Sequence, residues 1–335
     1  MASRPRNFSP WAYWMLRLAG VERIDPCPVR AGRPELDAWR RRFRSRLLEA
    51  LGPSPEAVPL NAEAFDDEDA GSYRRTRVVF DAEPAMSVPA YLLVPHDRVA
   101  PGPAVLAVHG HGPGKDEVCG LTGSNENDYA RRLAELGYVV LAPDLRCFGE
   151  RGDWNPPDKY ACDLNLVHAL VAGANPLAQN LWDLARALDL LAGHPLVDAD
   201  RLGAVGLSYG GTLTLFLTAL DTRVRAAVVS GYFGSLVDAH RVPWNLCGSQ
   251  VLPGMLELLD HVDVGALVAP RALLVETGTE DQIFAAQPAR DAVAALHRVY
   301  EADGAADELE HDVFDGGHRW NGARAGPFLD RWLGE

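Results

Sequence analysis

The sequence predicts an α/β protein with a mostly parallel central sheet and helices on both faces. Three observations carry this. Short apolar runs, Ala104–Val108, Tyr138–Ala142, Arg201–Leu207, Val224–Val229 and Arg271–Glu276, read as buried strands. Amphipathic helical runs separate them, which is the alternation expected when neighbouring strands run parallel. The stretch Val205-Gly206-Leu207-Ser208-Tyr209-Gly210-Gly211 sets a Gly-x-Ser-x-Gly turn between one such strand and the helical run Gly211–Leu220. In that turn the serine occupies a strained strand-to-helix junction, and its hydroxyl stands above the sheet edge. Glycine is needed at 206 and 210 because a Cβ would collide with the crowded turn. The helix starting just after Ser208 aims its amide dipoles at negative charge developing there.

The elements follow in order. Ser9–Ala19 and Glu35–Leu51 read as helices. In the second, Leu36, Trp39, Phe43 and Leu47 share one face, and Arg40, Arg41, Arg42, Arg44 and Arg46 crowd the other. A basic face of this kind binds anions or a partner, or is simply solvated, and the acidic run Asp66-Asp67-Glu68-Asp69 is a candidate to offset it. Residues 1–70 are expected to form a helical extension packed on a main domain, 71–335. Arg74–Phe80 and Val88–Val94 flank a proline-containing turn and predict an antiparallel hairpin at a sheet edge. The strand Ala104–Val108 ends in His109-Gly110-His111-Gly112, and a helix near 125–136 leads to the strand at 138–142. Residues 146–180 form a long interval rich in Gly, Pro, Asn and Trp, of the sort that often lines sites. Leu181–Leu191 is helical, with Trp182, Ala185, Leu188 and Leu191 on one face. Beyond the serine turn, the excursion 232–267 either caps a pocket or covers the sheet edge. The last unit is a helix (Pro288–Tyr300), a strand (Glu308–Phe314), the loop Asp315-Gly316-Gly317-His318 and a final helix ending at Trp332.

Composition narrows the function classes. With 335 residues, 47% apolar and 23% charged, the chain is that of a soluble globular protein. A formal charge of −14 argues against nucleic acid and anionic membranes as partners. The five cysteines, Cys27, Cys119, Cys147, Cys162 and Cys247, are odd in number and scattered, as expected of free thiols in a reducing compartment. Trp11–Leu18 is apolar but short and carries Arg17, unlike a signal peptide, and no run reaches membrane-span length. The expectation is a cytoplasmic protein acting on a small molecule. Nothing in the sequence sets its oligomeric state.

A serine hydroxyl is a weak nucleophile and needs a base within reach, which in turn needs an orienting acid. On parallel sheets these groups follow in the order Ser, Asp or Glu, His, each on a loop after a strand. Here Ser208 is followed by Asp281, just past the strand in Glu276-Thr277-Gly278-Thr279-Glu280-Asp281, and by His318 in a Gly-Gly-His turn. Glu280 is the rival acid; His311, within a strand, and His297 are the rival bases. Two backbone N–H groups are needed for an oxyanion: Tyr209, after the serine, and His111, after the Ala104–Val108 strand, are the candidates. The His109/His111 pair also suggests a metal, but no third ligand stands at a usual spacing, so none is expected. Arg146 and Glu150-Arg151 follow a strand end on the side where open parallel sheets bind ligands. They either touch polar groups of a substrate or pair internally. Trp154, Trp244 and Trp320 either wall a pocket or pack in the core.

These residues resemble the α/β-hydrolase superfamily, and within it the dienelactone-hydrolase-related and acetyl-xylan-esterase-like branch. The stretches that carry the resemblance are Val108-His109-Gly110-His111-Gly112, Ala142-Pro143-Asp144-Leu145-Arg146-Cys147-Phe148-Gly149-Glu150-Arg151, Trp182 to Asp189, Val197 to Gly203, Gly206 to Gly211, Asn245-Leu246-Cys247-Gly248 with Pro253-Gly254, Ala269-Pro270-Arg271 and Gly316-Gly317-His318. The resemblance implies an α/β-hydrolase fold and carboxylic-ester hydrolysis through an acyl-enzyme, with Ser208, Asp281 and His318 as triad and no metal or organic cofactor. Dienelactone hydrolases proper carry cysteine at the turn, where this chain has Ser208. The Arg-Gly-Gln motif of the esterases that deacetylate xylo-oligosaccharides and cephalosporins is absent. Amidase, peptidase, lactonase or acyltransferase chemistry on the same triad is the alternative, and a ligand-binding protein without catalysis ranks last.

Overall fold

The computed structural model describes residues 6–123, 126–157, 159–241 and 246–334. Among these, nine strands form one sheet: β1 (Glu63–Asp69), β2 (Tyr73–Glu83), β3 (Met86–Pro95), β4 (Gly102–Val108), β5 (Val139–Pro143), β6 (Val197–Leu207), β7 (Val224–Ser230), β8 (Ala272–Gly278) and β9 (Leu309–Phe314). Their spatial order is β1-β2-β3-β5-β4-β6-β7-β8-β9. β1, β2 and β3 pair antiparallel, as do β3 and β5. From β5 across to β9 every pairing is parallel. The helices are α1 (Pro10–Leu18), α2 (Arg33–Leu51), α3 (Lys115–Val118), α4 (Tyr129–Glu135), α5 (Ala161–Val171), α6 (Pro176–Ala192), α7 (Tyr209–Leu220), α8 (Leu236–His240), α9 (Met255–Leu258), α10 (His261–Val268), α11 (Ala286–Asp303) and α12 (Ala325–Leu333). No described helix is long and apolar enough to cross a membrane.

Strand side chains alternate between faces, and β4 shows the two cores this builds. Ala104, Leu106 and Val108 share one core with Leu184 and Leu188 of α6 and Phe216 of α7. Val105 and Ala107 face the opposite side, with Leu133 of α4 and Phe328 and Leu329 of α12. The chain leaves β4 towards β5 on one side and then crosses to β6 on the other. The carboxyl ends of β4 and β6 therefore frame the point where strand order reverses, the place where open sheets leave a crevice.

The expected helices at 9–19 and 35–51 form as α1 and α2. In α2, Leu36, Trp39, Phe43 and Leu47 are fully buried, with the Trp39 and Phe43 rings stacked at 4.8 Å. Its basic face is only partly solvated. Arg40 binds Asp303, and Arg44 donates to the carbonyls of Ala219 (3.0 Å) and Leu220 (2.7 Å) at the end of α7. The acidic run does not offset this face. Residues 63–69, expected within a helical extension, form β1, and Asp67 and Glu68 pair with Arg74 and Arg75 of β2 instead. α1 buries none of its residues.

The interval 146–180 is less irregular than expected, because it contains α5 and the first turn of α6. Asn175 caps α6: its Oδ1 accepts from the N–H groups of Leu177 (2.9 Å) and Ala178 (3.3 Å), with Pro176 in the first helical position. The helix therefore begins five residues before the 181–191 expected from its apolar face.

Candidate active site

Ser208 sits between β6 and α7 with φ 60° and ψ −118°, a conformation that costs a non-glycine residue about 1–3 kcal/mol and persists only where the surroundings enforce it. They do so through close backbone approaches. A Cβ on Gly206 would fall 2.3 Å from the Gly210 carbonyl oxygen, and one on Gly210 would fall 2.0 Å from that of Val108. The Ser208 N–H donates to the Ser230 carbonyl at the end of β7 (2.9 Å). The loop after β4 closes on the same turn, since a Cβ on Gly110 would lie 2.9 Å from the Leu207 carbonyl oxygen and 3.4 Å from Ser208 Cβ. Backbone from β4, β6 and β7 thus holds the serine.

Asp281 is buried in the loop after β8, and one of its oxygens, Oδ1, accepts the N–H groups of Ile283 (2.8 Å) and Phe284 (2.9 Å). The other, Oδ2, is 2.8 Å from His318 Nδ1. The His318 ring lies against Gly231, where an added Cβ would be 3.1 Å from Nδ1 and Cε1, and stacks on the Phe284 ring. The rivals are placed elsewhere. Glu280 is exposed, His311 holds the Thr277 hydroxyl at 3.1 Å within the sheet, and His297 pairs with Glu301 on α11.

A cavity of about 660 Å³ opens above the carboxyl ends of the strands, and Ser208, His318, Gly110 and His111 line it. Tyr209 begins α7, so its N–H is among those a helix leaves without an intrahelical partner. Both excursions contribute wall: Tyr160 and Asp163 from the first, Leu246 and Cys247 from the second.

The two histidines after β4 have different surroundings. His109 is fully buried; its Nε2 accepts the Leu145 N–H (2.9 Å) and its Nδ1 bonds the Gly110 carbonyl (2.6 Å). It ties the loop after β4 to the loop after β5. Burial pushes its imidazole down to about 4. His111 projects among the rings of Phe148, Tyr160 and Tyr209. Burial, with the His318 imidazole as neighbour, pushes it down to about 4 as well. Its companions are not His109 but Cys162 and Cys247, whose ligating atoms lie within 4.8 Å of each other and of a ring nitrogen of His111. Sequence spacing gave no sign of this cluster, because the loop after β4, the first turn of α5 and the segment before residue 248 build it together.

The proposed pocket residues fare differently. Arg146 does not line the cavity. It is buried in an internal network, with its Nε and Nη2 each 2.9 Å from an oxygen of Asp183 and a further bond to Glu83. Arg151 shares Asp183 at 2.8 Å, and Glu150 pairs with Arg77 and with Lys115 (2.7 Å), which also binds Asp144 (2.8 Å). These groups pin the loop after β5. Trp154 is 86% exposed and walls nothing. Trp320 is 4% exposed, beside the Tyr129 ring and under the Arg132 guanidinium, so it packs rather than lines. Trp244 lies outside the described residues.

One acid was missed. Glu276, fully buried at the end of β8, accepts from the Ser230 hydroxyl and from the Gly322 N–H (2.8 Å). Burial pushes its carboxyl from 4.5 up to about 7. The folded chain then holds this proton more tightly than the unfolded chain does. Its contribution to stability is complete below pH 4.5 and falls as pH rises towards 7, by roughly 3 kcal/mol in all. Glu276→Gln is expected to flatten the loss of stability between pH 4.5 and 7.5. Denaturant midpoints taken across that range check it, and an unchanged slope would contradict the assignment.

The dienelactone hydrolase family model matches residues 88–302. The "Putative hydrolase YtaP" of Bacillus subtilis is 28% identical over 303 residues, covering 87% of this chain and 98% of its own length. A "Putative carboxymethylenebutenolidase" of Methylorubrum extorquens is 31% identical over 150 residues, covering 45% of this chain and 46% of its own length. Among solved structures, one titled as a putative acetyl xylan esterase from Bacteroides fragilis superposes with a TM-score of 0.83 at 18% identity, over 99% of this chain and 97% of that one.

Proposed function

Because the chain belongs to the dienelactone hydrolase family, we propose that it cleaves carboxylic esters with Ser208 as nucleophile, His318 as base and Asp281 as the acid that orients it. One observation carries the assignment of roles: the 2.8 Å bond from His318 Nδ1 to Asp281 belongs to a histidine lining the same cavity as Ser208 on its strained turn. In the proposed mechanism, His318 takes the Ser208 proton through Nε2 while the oxygen attacks the acyl carbon. The N–H groups of Tyr209 and His111 receive the oxyanion, and His318 hands the proton to the departing alcohol. Water then attacks the acyl-enzyme with His318 again as base. Glu117 and Asp163 line the cavity, and among its described lining residues there is no lysine or arginine. That supports a neutral ester over one bearing a free carboxylate. The unpaired cysteines support a reducing, cytoplasmic setting.

Intact-mass measurement after fluorophosphonate treatment, run beside p-nitrophenyl esters of graded acyl length, tests this reading. A single adduct on Ser208 with ester turnover is the expected result. An adduct with no ester turnover would redirect the chemistry to amides, lactones or acyl transfer, and no adduct would remove Ser208 as nucleophile.

A further inference from the structure

Three side chains from distant parts of the chain meet at the cavity wall. His111 follows β4, Cys162 lies in the first turn of α5, and Cys247 precedes the turn 248–250. One ligating atom from each lies within 4.8 Å of the other two. The arrangement is held by backbone. The Gly248 N–H donates to Asp163 Oδ1 (2.9 Å), so the residues next to Cys247 and Cys162 are tied together. A Cβ on Gly248 would come within 2.8 Å of the Cys162 carbonyl oxygen and 2.7 Å of Leu166 Cβ. Only glycine lets the two segments approach this closely. Gln250 Nε2, two residues further on, anchors the turn to Thr212 of α7 at 2.8 Å. Independently, His111 Nε2 is shielded from solvent and has no hydrogen-bond partner among the described residues. The nitrogen is therefore free to take a ligand.

We propose that His111, Cys162 and Cys247 form a binding site for a soft divalent metal ion of the zinc type. Two thiolates and an imidazole are the donors such ions select, and carboxylate-seeking ions such as Mg²⁺ or Ca²⁺ are not served by this set. With Zn–S near 2.3 Å and Zn–N near 2.0 Å, a tetrahedral centre needs its ligand atoms about 3.3–3.8 Å apart. Atoms within 4.8 Å of one another reach that when each pair closes by at most about 1.0–1.5 Å. Each thiol gives up its proton to solvent on binding, so the two thiolate charges balance the ion. His111 and Cys247 both line the cavity, the side from which water or a substrate group would complete the coordination. The site does not depend on the ester-hydrolase reading, in which His111 takes part only through its backbone N–H.

The test uses the full chain, reduced and stripped with a chelator, and titrates it with Co²⁺. One equivalent is expected to give the visible bands of tetrahedral cobalt and a thiolate-to-cobalt charge-transfer band, both displaced by Zn²⁺. Cys162→Ser and Cys247→Ser each should weaken binding by about 100-fold or more, while Cys119→Ala and Ser208→Ala leave it unchanged. Should the serine variants fold poorly, alkylation of the unaltered chain gives the second readout, with Zn²⁺ slowing the labelling of Cys162 and Cys247. The proposal is overturned by the absence of a charge-transfer band at one equivalent, by a band that survives both serine variants, or by alkylation that Zn²⁺ does not alter. A Cys162–Cys247 disulfide on mild oxidation in a chain that binds no Co²⁺ when reduced would also overturn it and mark a redox pair instead.

Discussion

Ser208→Ala is expected to lower kcat about 10⁶-fold, the scale seen when a triad nucleophile is removed, and to abolish the fluorophosphonate adduct. The loss is this large because the hydroxyl itself forms the bond to the acyl carbon; the turn that presents it is held by backbone, with close approaches at Gly206 and Gly210 and the Ser208 N–H on the Ser230 carbonyl. The same fact makes the fold tolerant. Alanine keeps every one of those backbone contacts and adds no volume, so thermal midpoints should agree within a few degrees. Steady-state turnover with the best ester of the panel, measured beside thermal unfolding, reads both quantities. Retention of more than about 1% of turnover would mean that the serine is not the nucleophile.

Asp281→Asn is expected to cost about 10⁴-fold in kcat. The argument rests on which way the amide must face. Oδ1 of Asp281 accepts two backbone N–H groups, from Ile283 and Phe284. An asparagine there has to keep its oxygen on those donors, which leaves its NH₂ pointing at His318 Nδ1. The ring then accepts at Nδ1 and carries its proton on Nε2, the nitrogen that has to receive the serine proton. Glu280→Gln is the control, since Glu280 is exposed, and should change kcat less than twofold. A small effect of Asp281→Asn together with a large one of Glu280→Gln would reassign the acid.

Much of the fold was legible because its signals are local. The strands at 104–108, 224–229 and 271–276 carry apolar residues on both faces, as buried parallel strands do, and the structure extends or shifts them by only a residue or two. The positions of Ser208, Asp281 and His318 at three strand ends were legible for the same reason. The sequence left a role open, or gave no sign of it, where that role depends on a distant partner. Arg146 stands at a strand end facing the ligand side, and nothing near it announces Asp183, 37 residues on, or Glu83, 63 residues back. The cluster of Cys162, Cys247 and His111 is of the same kind. β1 was missed for another reason: its seven residues are all exposed, so no apolar alternation betrays it.

That strand has a consequence for how molecules of this protein meet. β1 ends the sheet on one side, and an open sheet edge is a template on which another chain can add a strand. Here the template carries Asp66, Asp67, Glu68 and Asp69 in succession. A second copy offering its own β1 would set carboxylates against carboxylates, which is unfavourable for directly opposed pairs. An acidic edge of this kind is expected to resist edge-to-edge pairing between copies.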